Sequence, residues 1–148
     1  MDPFGSSRLP RITFGAGTAT QLPAAIARHG RRCLLVTGGR SFDALGLEDL
    51  DARLASSGVD LVGHVRAPAE PGPDVIDAFV VTARDLDADV VVGIGGGSVL
   101  DTAKAVAGLV DSGTSVMDHL EGVGRGVPYV GPSVPFVALP TTAGTGSE

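Results

Sequence analysis

Residues 90–104 read VVVGIGGGSVLDTAK, and this stretch decides the fold. It opens on an apolar run that contains no polar side chain, which is typical of a strand buried on both faces of a parallel sheet. Three glycines and Ser98 follow at once, and the pattern after them predicts a helix from about Val99 to Leu109 with Ser98 as its N-cap. The stretch therefore predicts a buried strand, a tight glycine turn and a helix in direct succession.

Strands and helices alternate on both sides of this unit. Apolar runs predict strands at 12–14, 33–37, 59–65 and 136–139, and helical periodicity predicts helices at about 18–29, 47–57 and 73–86. Residues 111–133 are rich in Gly, Asp, Ser and Pro and are predicted to form a loop with one helical turn. The alternation predicts an α/β fold, a Rossmann-like parallel sheet with flanking helices.

Composition limits the classes of partner. The chain has 148 residues, a hydrophobic content of 43% and a net charge of −6, which suit one globular domain and argue against nucleic acid as its main partner. No apolar run is long enough to cross a membrane. Cys33 is the single cysteine and cannot form an internal disulfide, so a cytoplasmic location is expected.

The glycine turn is the strongest candidate site. Gly95, Gly96 and Gly97 carry no Cβ, so a phosphate can approach the backbone closely, and Ser98 begins a helix whose unpaired N–H groups attract anions. These residues are predicted to hold the pyrophosphate of a dinucleotide. The alternative is a tight strand-to-helix turn without a ligand.

Two further glycine-containing breaks follow predicted strands. Gly38, Gly39, Arg40 and Ser41 come after the strand at 33–37, where an acidic residue would bind the ribose hydroxyls of NAD; its absence favours NADP, unless the segment is a plain turn. Residues 140–148 read PTTAGTGSE and offer hydroxyl groups that suit ribose and phosphate oxygens, although a generic polar loop would look similar.

Charged and imidazole side chains give weaker signals. Asp101 and Lys104 lie one turn into the predicted helix and either face the site or are ordinary exposed charges. His29, His64 and His119 are far apart in sequence and show no metal-ligand spacing, so we interpret them as structural or solvated.

Two motifs resemble a known family. Residues 95–104, GGGSVLDTAK, resemble the GGGSxxDxAK signature of the iron-containing (group III) alcohol dehydrogenases, and residues 140–148 resemble the PTTAGTGSE segment of that family. The order and the gap between the motifs also fit, and the resemblance spans nearly the whole chain.

The resemblance implies a two-domain enzyme. Its N-terminal α/β domain would bind NAD or NADP, and an all-helical C-terminal domain, absent from this chain, would bind Fe²⁺ or Zn²⁺ through one Asp and three His. Gly95 to Ser98 would then hold the pyrophosphate. Thr141, Thr142 and Thr145 would line the phosphates and the nicotinamide ribose, and Gly38, Gly39 and Ser41 would meet the adenosine ribose. Glu70 stands where the family often has Asn, so its role is left open.

The expected function is that of an NAD(P)-dependent oxidoreductase that interconverts an alcohol with an aldehyde or ketone by metal-assisted hydride transfer. Residues 8–148 would be its dinucleotide-binding domain, and residues 1–7 a disordered start or a remnant of cloning. No catalytic or metal-ligating residue is assigned within the chain, which is therefore expected to be inactive alone. A stand-alone or truncated nucleotide-binding module without activity, or a related polyol dehydrogenase, are the alternatives. Pairing of the strand at 12–14 with a second copy would give a homodimer.

Overall fold

The computed structural model describes residues 10–43, 45–47 and 49–147, without the side chains of Arg40 and Ser41. The segment 1–7, interpreted above as a disordered start or a remnant of cloning, lies outside the described residues. So do Glu148 and the side chain of Ser41, which was expected to contact the ribose.

The described residues form a parallel four-stranded sheet in the order β2-β1-β3-β4. The strands are β1 (Arg32–Thr37), β2 (Asp60–Arg66), β3 (Val90–Gly95) and β4 (Phe136–Pro140). The helices are α1 (Leu22–Ile26), α2 (Arg40–Asp43), α3 (Leu50–Ser56), α4 (Pro73–Asp85), α5 (Gly97–Leu109) and α6 (Val116–His119). The predicted Rossmann-like α/β fold is confirmed, as is the single helical turn within 111–133.

The sheet separates two apolar layers, because successive side chains of a strand point to opposite faces. Leu34 and Val91 pack with α4 and α5 on one face. Leu35 and Val92 pack with α1 and α3 on the other. All six residues of β3 are buried, as the apolar run predicted.

The predicted strand at 12–14 is wrong. Residues 10–14 adopt no regular structure, and the side chains of Ile12 and Phe14 are 78% and 97% exposed. A strand needs a hydrogen-bonded neighbour, and these residues have none in the described part of the chain.

The predicted N-cap of the helix at 99–109 is also wrong. Helix α5 begins at Gly97, and Gly96 is its N-cap in an extended conformation, so Ser98 lies within the first turn. The N–H groups of Val99 and Leu100 both donate to the carbonyl oxygen of Gly96, at 3.1 Å. The cap lies close to the segment after β4, because a Cβ at Gly96 would stand 3.3 Å from the hydroxyl of Thr142.

Helix starts elsewhere follow local chemistry. Pro73 is the first residue of α4, as predicted, because its fixed φ and missing N–H suit that position. The helix predicted at 18–29 is instead a 3₁₀ turn at Thr18–Gln21 followed by α1. The Thr18 hydroxyl donates to the Gly15 carbonyl oxygen, at 2.9 Å, and does not cap the helix.

The strand order places a crevice between β1 and β3. From β1 the chain moves outward to β2, and from β3 it moves in the opposite direction to β4. In open α/β sheets, ligands bind at the carboxyl ends of the strands on either side of such a reversal. No described helix combines the length and apolar character that a membrane crossing requires.

Gly93→Ala should destabilise the protein by about 1–3 kcal/mol, because its Cβ would stand 2.9 Å from the Cβ of Ala103 across the β3–α5 interface. Gly108→Ala in the last turn of α5 is the matched control. Its Cβ would meet nothing closer than the Tyr129 hydroxyl, at 3.7 Å, so it should stabilise by about 0.5–1 kcal/mol. Urea unfolding measures both changes, and equal effects would contradict this account of the interface.

Candidate functional site

Three glycine-containing segments meet at the carboxyl edge of the sheet. Residues 38–41, 95–98 and 140–147 follow or end the neighbouring strands β1, β3 and β4. The N–H of Thr141 donates to the carbonyl oxygen of Gly95, at 2.9 Å, which ties the ends of β3 and β4 together. The structure thus brings together the three segments that the sequence selected separately.

The glycines at the end of β3 lie in close contacts and do not adopt special backbone conformations, since none of them has a positive φ. A Cβ at Gly95 would stand 2.7 Å from the Cβ of Val99. A Cβ at Gly96 would stand 3.3 Å from the hydroxyl of Thr142, and one at Gly97 would stand 3.1 Å from the Cβ of Thr145. The threonine segment therefore lies directly against the glycine turn.

The start of α5 presents backbone amides at this junction. The first bonds of the helix are donated by the N–H groups of Val99 and Leu100. The amides of Gly97 and Ser98 precede them, at the positive end of a helix of 13 residues. This is the geometry in which backbone N–H groups bind a phosphate without a basic side chain.

Asp101 and Lys104 hold the chain segment that covers the turn. The Ser147 hydroxyl donates to a carboxylate oxygen of Asp101, at 3.1 Å. The Lys104 ammonium donates to the Ser147 carbonyl oxygen, at 2.5 Å, and lies 3.7 Å from Asp101. The sequence left open whether Asp101 and Lys104 face the site. The structure places both side chains beside residues 141–147, and Ser147 itself is buried.

Sequence reasoning missed a polar group at the ends of β1 and β2. Arg66 lies beside Thr37 in the β1–β2 register. Its guanidinium donates to the carbonyl oxygen of Gly39, at 3.3 Å, and to the Asp43 carboxylate, at 2.9 and 3.4 Å. The sequence did contain a signal for Arg66, since this residue directly follows the predicted strand at 59–65 and so lies at the carboxyl edge of the sheet.

His64 belongs to the same group. Its Nε2 and the hydroxyl of the buried Thr37 are hydrogen-bonded at 2.8 Å, and its ring contacts Phe42 edge-on with centroids 5.3 Å apart. His64 is an exposed residue, but partial desolvation of its ring lowers its pKa, and the positive charge of Arg66 lowers this pKa further. The hydrogen bond from Arg66 lowers the pKa of Asp43, and the same bond raises the pKa of Arg66.

Among the residues that the structure describes, no group of three His, Cys, Asp or Glu side chains converges to hold a metal ion. His119 is engaged in local structure, because its ring nitrogens lie 2.9 Å from the Thr114 hydroxyl and 2.8 Å from the Val127 carbonyl oxygen. Glu70 is exposed in the loop between β2 and α4.

Comparison with known proteins gives a consistent family. A family model described as iron-containing alcohol dehydrogenase matches residues 10–148. The chain is 35% identical over 141 residues to long-chain-alcohol dehydrogenase 1 of Geobacillus thermodenitrificans, a match that covers 94% of this chain and 35% of that protein. The chain spans between 20% and 37% of the length of the first curated relatives that it matches.

Solved structures agree in fold. An archaeal halo-thermophilic alcohol dehydrogenase from a Red Sea brine pool superposes with a TM-score of 0.79 at 31% identity, over 99% of this chain and 38% of that one. Sulfoacetaldehyde reductase from Bifidobacterium kashiwanohense, solved in complex with NAD⁺, superposes with a TM-score of 0.70 at 28% identity, over 90% of this chain and 35% of that one.

His64 should titrate below its ordinary pKa of 6.5. Because this pKa is lowered in the folded protein, His64 takes up its proton at a higher pH in the unfolded chain than in the folded one. The contribution of His64 to the free energy of unfolding is therefore complete above pH 6.5 and is lost as the pH falls toward the folded-state pKa. Acidification to about pH 5 should therefore reduce the urea midpoint more in the wild type than in His64→Gln.

The pKa itself can be read from the imidazole resonances by NMR. Arg66→Gln should raise it, because the variant removes a nearby positive charge. A His64 that titrates at or above its ordinary value would contradict this description of its environment.

Proposed function

The chain belongs to the iron-containing alcohol dehydrogenase family, and we propose that its described residues form the dinucleotide site of an NAD(P)-dependent oxidoreductase acting on an alcohol and the corresponding aldehyde or ketone. The observation that carries the proposal is the junction of the 95–98 turn, the first turn of α5 and the threonine segment beside the β1–β3 crevice. The NAD⁺ complex of the Bifidobacterium relative supports the choice of cofactor.

In the proposed binding mode the pyrophosphate lies against Gly96, Gly97 and Ser98, where the amides of the first turn donate to its oxygens. Hydroxyl groups of Thr141, Thr142 and Thr145 face the phosphates and the nicotinamide ribose, since this segment already contacts Gly96 and Gly97. A bound nicotinamide dinucleotide supplies the hydride acceptor or donor.

In this proposal Asp101 positions residues 141–147 against the 95–98 turn. Its carboxylate accepts from Ser147, and Lys104 holds the Ser147 carbonyl oxygen, so the two residues fix residues 141–147 against α5. The adenosine ribose lies across the end of β1 at Gly38, Gly39 and Ser41. A chain with a net charge of −6 can hold an anionic cofactor in this way because the donors are backbone amides.

The described residues do not fit the metal ion that the family name implies, because no three ligating side chains converge. Residues 1–148 alone are expected to bind the cofactor and to show no alcohol oxidation with added Fe²⁺ or Zn²⁺, as followed by NAD(P)H absorbance. Metal-dependent turnover by a pure sample would overturn this expectation.

A cytoplasmic setting and a homodimer complete the proposal. Burial raises the pKa of the Cys33 thiol to about 12, so the one cysteine of the chain is a core residue and not a reactive or cross-linking thiol. The exposed side chains of Ile12 and Phe14 lie on a segment that has no strand partner among the described residues, which supports pairing with a second copy.

The decisive measurement is calorimetric titration of the folded protein with NADH and with NADPH. Gly96→Val should abolish binding, because its Cβ would already approach the Thr142 hydroxyl to 3.3 Å and the added methyl groups would fill the space for the pyrophosphate. Gly108→Ala, at the far end of the same helix, is the control and should bind as the wild type does.

Circular dichroism and a cooperative thermal transition would verify that each sample is folded. Undiminished binding by a folded Gly96→Val variant would contradict the proposed position of the pyrophosphate at the 95–98 turn. Failure of the folded wild type to bind either dinucleotide would refute the proposed function for this chain.

A further inference from the structure

Arg66 ends the strand next to the proposed ribose position. A dinucleotide whose pyrophosphate lies at the end of β3 extends across the crevice to the end of β1, where its adenosine ribose would rest on Gly38 and Gly39. Beyond β1 lies β2, about 4.8 Å away in the hydrogen-bonding direction, and its last residue is Arg66. The guanidinium of Arg66 therefore lies on that side of the proposed ribose position, together with the Asp43 carboxylate that it contacts.

The guanidinium is already aimed at the turn after β1. It donates to the Gly39 carbonyl oxygen and is braced by the Asp43 carboxylate, so it is held over the 38–43 segment instead of extending into solvent. Its side chain is 50% exposed, and a guanidinium has more N–H donors than these contacts use.

The Gly39 backbone is open on its Cβ side toward the described part of the chain. No described atom would lie within 4 Å of a Cβ built there, and the Arg66 guanidinium bonds to the carbonyl oxygen of the same residue. An open position next to a braced guanidinium is suited to a phosphate group, which arginine binds through paired N–H donors.

We propose that Arg66 binds the 2′-phosphate of NADP(H) and is the residue by which this site distinguishes NADP from NAD. The inference rests on the proposed function and adds to it a selectivity that comes from β2 and not from the 38–41 turn alone. The Gly39 carbonyl oxygen holds the guanidinium in place, while the Asp43 carboxylate beside it opposes the incoming anion by its own charge.

Two adenosine ligands isolate this contact. Adenosine 2′,5′-bisphosphate and 5′-AMP differ only by the 2′-phosphate, so the ratio of their dissociation constants reports that group alone. The wild type should bind the bisphosphate more tightly. Arg66→Gln should reduce the preference by about tenfold or more while leaving 5′-AMP binding unchanged, because a charge-assisted pair is lost. Arg66→Lys should retain part of it, since it keeps the charge but not the paired donors.

Arg125→Gln is the matched control. Arg125 forms an ion pair with Asp118 at the same N–O distance of 2.9 Å but beside α6, so the ratio should not change. Asp43→Asn is a second, independent variant. It should strengthen bisphosphate binding and leave 5′-AMP binding as it is, because it removes the anion beside the guanidinium.

An unchanged ratio in Arg66→Gln, an equal loss of both ligands, or a wild type without preference for the bisphosphate would overturn the assignment of Arg66. An Asp43→Asn variant with an unchanged or lowered preference would also count against it. NADH titration in parallel separates the two ideas. Binding of NADH that depends on Gly96, with no effect of Arg66, leaves the dinucleotide site intact and removes only this inference, whereas no dinucleotide binding removes both.

Discussion

Burial of β3 is the constraint on which the rest of the structure depends. The strand is paired on both edges and covered on both faces, so all six of its residues are removed from water. Helix α5 packs closely on one face of the strand because Gly93 has no side chain that would collide with Ala103. The chain must then leave the sheet and start a helix within two residues, and at Gly95 this exit leaves no room for a Cβ beside Val99.

The same exit creates the candidate site. A helix that starts directly at the edge of a sheet turns its first amides toward the crevice, and the threonine segment after β4 is brought over them by the β3–β4 pairing. Asp101 and Lys104 then hold that segment through Ser147. Stability and the proposed ligand binding thus depend on one set of close backbone approaches, so substitution of the glycines should affect both.

The edge beyond β1 has a different character. Arg66, Asp43 and His64 form a polar group in which Arg66 and Asp43 shift each other's pKa and that of His64. In the proposed binding mode the pyrophosphate is held by backbone amides, whose positions depend on the geometry of the main chain. The proposed 2′-phosphate contact is made by the side chain of Arg66, which can be exchanged without altering the sheet. Cofactor preference is therefore the property of the proposed site that could change most readily.

The sequence by itself determined the order of the elements and the type of fold. The apolar runs of β1 and β3, the proline that begins α4 and the glycine turn at 95–98 are local signals, and the structure confirms each within a residue or so. Periodicity and turn chemistry act over a few residues, so they can be read from the chain directly.

Only the tertiary structure decided which residues meet. Ile12 to Phe14 have the composition of a strand but lack a neighbour, and Ser98 has the chemistry of a cap but lies inside the helix. Contacts between Lys104 and Ser147, or between Arg66 and Gly39, join residues separated by 43 and 27 positions. They exist because the parallel strands bring their carboxyl ends to one edge, and no local pattern in the sequence encodes which side chains will face one another there.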